Sequence, residues 1–489
     1  MKYAHLKSGT DIRGVAGGNG IAFDAPITLT PEISKQCAAA FAGFLKEKYG
    51  KEALTVAVGH DCRVSSPDIA AAAEQGLCEA GVRVLRCGYA TTPSMFFATR
   101  FAGSDCDGAI EITASHLPPE RNGLKFFTKE GGLEGKDITA ILSAAETVTP
   151  APTPGQIIPF DILTPYSEEL IRLIRARTGK EMPFAGQKII VNAGNGMGGF
   201  FEKNVLRPLG ADTVGSVNLT PDGTFPVHIP NPENAAAMEH TARATVAAGA
   251  TLGICFDTDC DRAAVVDGEG RSINSSALIA LISAILLEET PGITVVTDSV
   301  TSSGLAEFIA AKGGKHHRFK RGYKNVIDEA IRLEKEGISA PLAIETSGHA
   351  ALKENCFLDD GAYLVVRLLC KLAEMGAGHS LTELIAELKE AKEAKEIRLT
   401  ITREDFRAHG ESVLAAFESF ITRYGTIELP SFEGVRVNFD EDHGAGWILM
   451  RLSVHDPVLP INIESDKEGG VAVIEGYLRE FLTTQTDLK

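Results

Sequence analysis

A weak threefold repeat of strand-like segments constrains the fold of this chain more than any other feature. Each repeat holds three apolar, β-rich runs, and the third run of each ends in a short polar loop: TASH, DTDCDR and ETSGH. Helical patterns alternate with the runs, as is typical of α/β layers with a largely parallel sheet. The repeat therefore predicts three related α/β domains.

The runs can be assigned in order along each repeat. The first runs are TVAVGHD (55–61), KIIVNAG (188–194) and TVVTDSV (294–300), the second are VRVLRCG (82–88), ADTVGSV (211–217) and KHHRFKR (315–321), and the third are DGAIEITASH (107–116), ATLGICFDTDCDR (250–262) and PLAIETSGHA (341–350). In open α/β sheets, ligands bind beyond the carboxyl ends of the strands. The three polar loops are therefore expected to face a single cleft.

Shifts in composition mark the predicted domain boundaries. TVTPAPTPGQ (147–156) indicates a stiff, exposed linker because it is rich in proline. Ser380-Leu-Thr-Glu383 is a capping-box pattern that opens a helix, and its charged end, LKEAKEAKE (388–396), leads into a last domain that breaks the repeat and has the pattern of a small α+β sheet. The predicted domains are 1–155, 156–262, 263–385 and 397–489.

Composition argues against several classes of partner and location. The net charge of −17 argues against nucleic acid or an anionic membrane as the main partner, although a local arginine cluster can still hold a small phosphorylated ligand. Nine cysteines without a CxxC pair indicate a reducing, cytoplasmic location rather than a disulfide framework. The N-terminal segment has no apolar signal region, and the most apolar stretch, 277–287, is too short to span a bilayer.

The loop DTDCDR carries three alternating carboxylates. Asp257, Asp259 and Asp261 would repel one another unless a cation lay between them, and hard oxygen ligands select Mg²⁺ or Ca²⁺. An EF-hand is excluded because Arg262 stands where that loop needs Gly and Gly268 where it needs Glu. A capped polar turn is the remaining alternative, and it is disfavoured because it leaves the carboxylates without a counter-ion.

The other two loops carry weaker signals. Ser115 and His116 follow an apolar run and precede two prolines, so they indicate either a polar turn or a nucleophile. Glu345, Ser347 and His349 are able to hydrogen-bond sugar hydroxyls, but the start of a capped helix explains them about as well. Each of these loops alone leaves the choice open.

Two further segments carry basic residues. Arg451, Ser453 and His455 alternate, so in a strand they share one face, where an arginine and hydroxyl donors would hold a phosphate dianion. Spacing alone favours an amphipathic edge strand there. Near the N-terminus, Arg13 lies beside a glycine, and GHDCRVSSP (59–67) follows a predicted strand; both segments are compatible with structural turns.

Together these segments resemble the α-D-phosphohexomutase superfamily, the phosphoglucomutase/phosphomannomutase enzymes. TASH is similar to the family's phosphoserine loop, DTDCDR to its metal loop, ETSGH to its sugar loop and RLSVHDP to its phosphate loop. The motifs occur in the family's order over essentially the whole chain. The resemblance implies a heart-shaped α/β fold around a central cleft, with three related α/β domains of mixed, largely parallel sheets and a smaller C-terminal α+β domain.

The resemblance also implies an activity. Family members are intramolecular phosphotransferases that interconvert hexose 1-phosphate and hexose 6-phosphate, with glucose or mannose as the sugar. They use Mg²⁺, an active-site phosphoserine and a hexose 1,6-bisphosphate that is both intermediate and activator. A phosphorylated hexose is then the expected partner, and the chain is expected to be a monomer or a homodimer.

Residue roles follow from the resemblance, position by position. Ser115 would be the phosphoserine, and its phosphate would complete a metal shell formed by Asp257, Asp259 and Asp261. Lys125, in RNGLKFF, matches the family's Gly-x-Lys pattern and would act as an acid/base group or charge stabiliser. Arg13 and Arg262 would lie around the phosphoryl group, and His116 would position the loop. Glu345 and Ser347 would bind sugar hydroxyls, and His349 would assist them or the proton transfer. The phosphate that does not react would be bound by Arg451, Ser453 and His455.

The chain differs from the residues usual in the family's motifs at six positions, namely Leu117, Thr258, Tyr323, Ala343, Val454 and His455. These departures leave the sugar open, so a phosphoglucosamine mutase with the same chemistry is the first alternative. An aspartyl phosphatase with Asp257 as nucleophile is a second. A sugar-phosphate sensor without turnover is a third.

Overall fold

The computed structural model of the chain describes residues 2–149, 154–453 and 456–489. It divides into two compact units. The first comprises Met1–Asn274 and Ser347–Glu383, and the second comprises Ser275–Thr346 and Leu384–Lys489. Parallel strand pairs occur in both units, whereas the fully antiparallel C-terminal sheet lies in the second.

The first sheet along the chain mixes parallel and antiparallel strands. Its elements and their helices are β1 (Lys7–Ser8), β2 (Asp11–Val15), α1 (Pro31–Tyr49), β3 (Thr55–His60), α2 (Ser66–Glu79), β4 (Arg83–Tyr89), α3 (Thr92–Arg100), β5 (Gly108–Ile112), β6 (Arg121–Thr128), β7 (Gly131–Gly132), α4 (Gly135–Ala144) and β8 (Gln156–Pro159). The strand order is β1-β2-β6-β5-β3-β4-β8, with β7 beside β6. The neighbours in the run β5-β3-β4-β8 are parallel, whereas β6 is antiparallel to β5.

The second sheet also lies in the first unit. Its segment contains α5 (Leu163–Thr178), β9 (Ile189–Asn192), α6 (Gly199–Phe201), α7 (Ala235–Ala248), β10 (Leu252–Phe256), β11 (Ala263–Asp267) and β12 (Ser272–Ile273). The order is β12-β11-β10-β9, and of these pairs β9 and β10 are parallel while the others are antiparallel. The loop between β10 and β11 carries the three predicted metal-binding aspartates.

One predicted strand of this repeat does not form. Residues 211–217 make only isolated parallel bridges, at Asp212 and Val217. Gly215 has φ 108°, which breaks the extended path, and the Ser216 hydroxyl takes the N–H of Val191 in place of a backbone carbonyl. The local backbone bonds are therefore satisfied without a continuous ladder.

The second unit begins with the third α/β segment. It contains α8 (Ser275–Glu289), β13 (Thr294–Thr297), α9 (Ser303–Ala311), β14 (Lys315–Arg318), α10 (Tyr323–Lys335) and β15 (Leu342–Ile344). Strand β13 lies between β14 and β15 and is parallel to both. The third run of this repeat thus neighbours the first, and the first neighbours the second, as in β5-β3-β4.

The chain then returns to the first unit. The antiparallel hairpin of β16 (Ala350–Leu352) and β17 (Leu358–Asp359) precedes α11 (Gly361–Met375). Asp360 caps α11 by accepting the N–H of Tyr363, and its carboxylate also accepts the hydroxyl of Tyr166 from α5. Burial raises the pKa of Asp360 to about 7. This cap anchors the returning segment beside α5.

The C-terminal segment forms the smaller α+β domain of the second unit. It contains β18 (Glu393–Thr400), α12 (Phe406–Ile421), β19 (Thr426–Ile427), β20 (Val435–Phe439), β21 (Gly446–Met450), β22 (Val458–Ser465) and α13 (Gly470–Leu482). The antiparallel order is β18-β22-β21-β20-β19. With the three α/β segments before it, this sheet confirms the predicted order of three α/β domains and a smaller C-terminal α+β domain.

The predicted helix after Ser380 is wrong. Ser380 and Glu383 do form a cap, but it opens only a 3₁₀ turn, Leu381–Ile385, and the charged run enters β18 at Glu393. Strand β18 lies at the edge of its sheet, where most of its charged side chains stay in water. A strand at the edge of a sheet can keep its charged side chains in water. A charged run with the composition of a helix can therefore form β18.

The most apolar stretch of the chain, 277–287, lies inside α8. Ten residues of that helix are buried. Within the described residues, no helix combines the length and apolarity needed to cross a membrane.

We expect the close packing of α1 and α2 to depend on Gly76. A Cβ there would lie 2.1 Å from the backbone oxygen of Lys35, whereas a Cβ at Gly43 in α1 meets no atom within 4 Å. Gly76→Ala should therefore lower the free energy of unfolding by about 2 kcal/mol or more. Gly43→Ala should raise it by about 0.5–1 kcal/mol through helix propensity. Urea unfolding of both variants measures this, and equal effects would contradict the packing argument.

Candidate active site

Ser115 lies on a tight loop directly after β5. Its φ of 53° is in the left-handed region, which a serine adopts only when the surroundings hold it. The Ser115 N–H donates to Thr113 Oγ1 at 2.9 Å. The hydroxyl lies 3.2 Å from Asp257 Oδ2 and 3.2 Å from His116 Nδ1. The side chain is thus fixed toward the aspartate loop.

Arg63 holds this loop by its backbone. Its Nη2 donates to the carbonyl oxygens of Ser115 at 2.5 Å and Leu117 at 2.7 Å, and its Nη1 donates to those of Pro118 at 2.6 Å and Arg121 at 3.1 Å. The residue is 0% exposed. A planar guanidinium with several fixed donors suits this task, since one side chain satisfies four carbonyl groups of a strained turn.

Asp61 fixes the arginine. Its Oδ2 accepts Arg63 Nε at 3.1 Å and the Thr113 hydroxyl at 2.8 Å, and its Oδ1 accepts the hydroxyl of Ser66 at 2.6 Å. The pair is buried, and hydrogen bonds satisfy both partners, as a buried ion pair requires. Within the segment 59–67, residues 61–65 form the turn between β3 and α2, and that turn supports the Ser115 loop.

The three aspartates converge in the loop after β10. Asp257, Asp259 and Asp261 are buried, and one oxygen atom of each lies within 4.8 Å of the others. Among the described residues, Oδ1 of Asp259 and Oδ1 of Asp261 have no hydrogen-bond partner. Buried, orphaned carboxylate oxygens in such a cluster match the ligand preference of Mg²⁺.

Lys125 balances part of this charge. Its Nζ lies 2.8 Å from Asp259 Oδ2 and 2.5 Å from Asp261 Oδ2, and the hydroxyl of Thr92 also donates to Asp259 Oδ2. Strand β6 supplies the lysine and α3 supplies the threonine. The two domains of the first unit therefore meet through this ion pair.

The electrostatic state of the aspartates differs between them. Burial opposes ionisation of Asp261, but the positive charges of Lys125 and Arg262 outweigh it and lower its pKa. Burial, together with the charges of Asp261 and Asp259, raises the pKa of Asp257 well above its ordinary value. The cluster therefore shares less negative charge than three free carboxylates would carry.

A second chain of contacts orients Arg262. Its Nε donates to His349 Nε2 at 2.8 Å, and His349 Nδ1 lies 2.6 Å from Asp359 Oδ2. Because arginine only donates, Nε2 accepts and Nδ1 carries the proton toward the aspartate. Glu233 accepts Arg262 Nη1 at 3.2 Å. The guanidinium is thus held on two sides.

His116 and Arg13 lie at the rim of the same centre. Burial and the nearby Arg262 and Arg13 lower the pKa of His116 to about 2, so its imidazole is neutral. Arg13 donates from Nε and Nη2 to Asp11 Oδ2, at 3.2 and 2.7 Å. A neutral His116 is able to accept a hydrogen bond at Nδ1 from the Ser115 hydroxyl, which lies 3.2 Å away.

The two residues predicted to bind sugar hydroxyls lie in different units. Glu345 follows β15 in the second unit and is buried, and its Oε1 accepts the N–H of Gly322 at 2.5 Å. Ser347 belongs to the first unit and is buried there. The backbone of the loop before α10 therefore helps to orient the Glu345 carboxylate.

The predicted phosphate loop follows β21 in the second unit. The N–H of Arg451 donates to Pro460 O at 3.1 Å, and the N–H of Ser453 donates to Val458 O at 2.9 Å. Pairing with β22 thus continues past the last residue of β21, so the extended path expected for this segment is present at both residues. The third predicted member of the set, His455, lies outside the described residues.

Three segments of the chain match models of known protein domains. Residues 7–150, 165–270 and 274–391 match the models for phosphoglucomutase/phosphomannomutase alpha/beta/alpha domains I, II and III. The chain belongs to the phosphoglucomutase/phosphomannomutase family. This confirms the resemblance based on the four motifs, and it identifies the chain as an enzyme of the isomerase class that transfers phosphoryl groups.

Relatives in the family match over nearly their whole length. A phosphoglucomutase of Neisseria meningitidis is 29% identical over 98% of this chain and 96% of its own length. A phosphoglucomutase/phosphomannomutase of Thermococcus kodakarensis is 31% identical over 93% of this chain and 94% of its own. A crystal structure of a phosphoglucomutase/phosphomannomutase family protein from Burkholderia thailandensis has a TM-score of 0.80 and 26% identity, and it covers 99% of this chain and 98% of that one.

The first unit of this family member brings most of the predicted residues together. Ser115 contacts the aspartate loop, Lys125 contacts two of the aspartates, and Arg262 contacts His349. The sequence interpretation missed Asp359 and left Arg63 as part of a turn. Asp359 could have been found from the pair Asp359-Asp360, which precedes a glycine and a helix. Arg63 could have been found because it follows Asp61 just after a buried strand.

Glu111 is a further buried acid, in β5. Among the described residues, neither of its carboxylate oxygens has a hydrogen-bond partner. Burial, with the nearby charges of Asp61 and Asp259, raises its pKa well above the ordinary value, while Lys125 opposes the shift. The carboxyl group therefore keeps its proton to a higher pH than an exposed glutamate does.

Glu111→Gln should change how stability depends on pH. Between the unfolded and folded pKa values the native state binds more protons, so the wild-type free energy of unfolding falls as pH rises. Glutamine does not titrate, so the variant should gain about 1.4 kcal/mol relative to wild type for each pH unit in this window. Urea unfolding from pH 5 to 8 measures the difference. Glu52→Gln, at a side chain that is 93% exposed, is the control, and a pH-independent difference for Glu111→Gln would contradict the assignment.

Proposed function

We propose that this enzyme interconverts hexose 1-phosphate and hexose 6-phosphate through a phosphorylated Ser115 and a hexose 1,6-bisphosphate intermediate. One observation carries the proposal: the Ser115 hydroxyl, held in a left-handed turn, lies 3.2 Å from Asp257 in the buried aspartate cluster. A phosphate on that oxygen would adjoin the cluster and Lys125. The family to which the chain belongs supports the same reaction.

Asp257, Asp259 and Asp261 are the residues that would hold Mg²⁺, with an oxygen of the Ser115 phosphate as a further ligand. The cluster fits this ion because its oxygens are hard donors and two of them have no partner in the described structure. When bound, the ion would supply positive charge against the phosphoryl oxygens. Lys125 bridges two of the aspartates, which supports a role as charge stabiliser.

The proposed reaction has two phosphoryl transfers. In the first, the bond between phosphorus and Ser115 Oγ breaks, a bond forms from phosphorus to the oxygen of the sugar's free hydroxyl, and the proton of that hydroxyl ends on Ser115 Oγ. The bisphosphate then turns around, the bond between its other phosphorus and the sugar oxygen breaks, and Ser115 Oγ binds that phosphorus while its proton ends on the sugar oxygen. Such transfers depend on in-line positioning and charge neutralisation. Arg63 and Asp61 would supply the positioning because they fix the loop backbone, and Arg262, oriented by His349, would supply charge.

Sugar and distal phosphate would be held by the other predicted residues. Glu345 and Ser347 carry acceptors and donors for sugar hydroxyls, and Arg451 with Ser453 would bind the phosphate that does not react. His455 completes that set by sequence. A phosphorylated hexose is the substrate class, and the names of the relatives favour glucose and mannose.

The departure at Leu117 is compatible with turnover. Arg63 binds the carbonyl oxygen of that residue, which every side chain leaves available. The loop support therefore does not need the family's usual asparagine. This favours an active enzyme over a sensor that has lost its chemistry.

Ser115→Ala should reduce turnover of glucose 1-phosphate by at least about 10⁴-fold, because no phosphate can be carried. A coupled assay with glucose 1,6-bisphosphate measures it, and mannose and glucosamine phosphates are compared through kcat/KM. Intact mass spectrometry should find one phosphate on Ser115 in the wild type. Label trapped on Asp257 would instead favour the phosphatase, and full activity of Ser115→Ala would overturn the proposal.

Arg63→Lys should lower kcat by about 100-fold with little change in KM. A lysine cannot satisfy four carbonyl groups, so the loop shifts, and displacements of about 1 Å are costly to phosphoryl transfer. Steady-state kinetics measures both constants. Arg100→Lys is the matched control, because Arg100 is exposed and donates to a single carbonyl, of Lys129. Equal kinetics for the two variants would show that the loop needs no guanidinium.

A further inference from the structure

Three separate segments of the second unit direct donors or positive charge at one carboxylate, that of Glu433. Its Oε2 accepts the hydroxyl of Ser299, just after β13, at 2.5 Å, and the backbone N–H of Arg321, just before α10, at 3.0 Å. Arg451 Nη1, just after β21, lies 3.9 Å from Oε1. Donors that converge in this way form an anion site, and a carboxylate of the same chain occupies it.

The surroundings of this carboxylate are buried and cationic. The side chains of Arg451 and Glu433 are each 12% exposed. Arg451 Nε is buried, and no described residue accepts a hydrogen bond from it. Burial and the charge of Arg321 lower the pKa of Arg451, while Glu433 raises it. The guanidinium of Arg451 is largely buried and needs an anion, which Glu433 provides, while the side chain of Arg321 is 28% exposed.

A second acid completes the arrangement. Asp298 Oδ2 lies 4.0 Å from Arg321 Nε, and the Thr346 hydroxyl donates to the same oxygen at 2.8 Å. Burial raises the pKa of Asp298, and Arg321 opposes that shift. Asp298 is thus tied to Thr346 next to Glu345. Glu433 is the acid that meets Arg451, the residue predicted to hold a phosphate.

We propose that Glu433 is a resident anion that competes with the distal phosphate of the substrate for this cradle, and that Arg321 is a second guanidinium of the cradle. The inference rests on the proposed function. In the free enzyme, Glu433 keeps the arginines and Ser299 assembled. A phosphate dianion then displaces its carboxylate and takes the same donors, which lowers the apparent affinity for phosphate and assists the release of bound sugar phosphate.

The change in phosphate affinity of Glu433→Gln distinguishes competition from a structural role. This substitution keeps an oxygen acceptor for the Ser299 hydroxyl and the Arg321 backbone N–H but removes the negative charge. If Glu433 competes with phosphate, Glu433→Gln binds phosphate more tightly. If it only organises the cradle, Glu433→Gln binds phosphate as the wild type does, and loss of the acceptor in Glu433→Ala weakens binding. The sign of the change therefore separates the two roles.

Calorimetric titration with inorganic phosphate tests the proposal in the full-length protein. We expect Glu433→Gln to lower the Kd for phosphate by about 10-fold. Arg321→Gln added to that variant should raise the Kd again by about 10-fold. Lys320→Gln, which removes the same charge from an exposed neighbour in the same loop, is the matched control and should change the Kd less than about twofold.

Kinetics with glucose 1-phosphate gives a second reading. Glu433→Gln should lower KM together with kcat, since tighter binding slows release, whereas a loss of folding would lower only the active fraction. An unchanged or higher Kd for phosphate in Glu433→Gln overturns the inference, as does an Arg321→Gln effect no larger than that of Lys320→Gln. The mutase proposal can fail independently of this inference. If Ser115→Ala were active, the mutase proposal would be overturned, but the Kd values for phosphate could still be measured and compared.

Discussion

The structure of the candidate active site depends on the ion pairs that Lys125 makes with Asp259 and Asp261. Three buried carboxylates next to one another would otherwise be unstable, because desolvation and mutual repulsion both oppose their ionisation. Lys125 comes from β6 and the aspartates from the loop after β10, so the ion pairs also join the two domains of the first unit.

Around that pair, the fold brings functional groups together by a repeated device. Strand β5 ends in the Ser115 loop, and β10 ends in the aspartate loop. Parallel strands present their carboxyl ends on one edge, so polar loops collect there while apolar strands fill the core. The strain in the Ser115 turn is then balanced by neighbours that are themselves fixed, since Asp61 orients Arg63 and Arg63 satisfies the turn's carbonyl groups.

Patterns that are local in sequence were predictable. The apolar runs indicated most of the strands, and the spacing of Asp257, Asp259 and Asp261 indicated a cation site before any fold was known. The role of Arg63 was not predictable, because its acceptors are backbone carbonyl groups 52 to 58 residues away. Every residue has such a group, so the sequence does not show which of them accept a hydrogen bond. Asp359 was missed because its partner His349 is reached only through the hairpin of β16 and β17. The strand expected at 211–217 failed because a serine side chain replaced a backbone acceptor.

The aspartate cluster of the first unit and the proposed phosphate cradle of the second have one physical property in common. In the first unit, the aspartate cluster has Lys125 as an internal counter-ion, and in the second, the arginine cradle has Glu433. A site built for a charged ligand must be stable without that ligand, and burial makes an uncompensated charge costly. An internal counter-ion solves this problem, but it also competes with the ligand. The proposed mutase reaction requires release of each sugar phosphate after it reacts, so weakened binding is compatible with the proposed turnover.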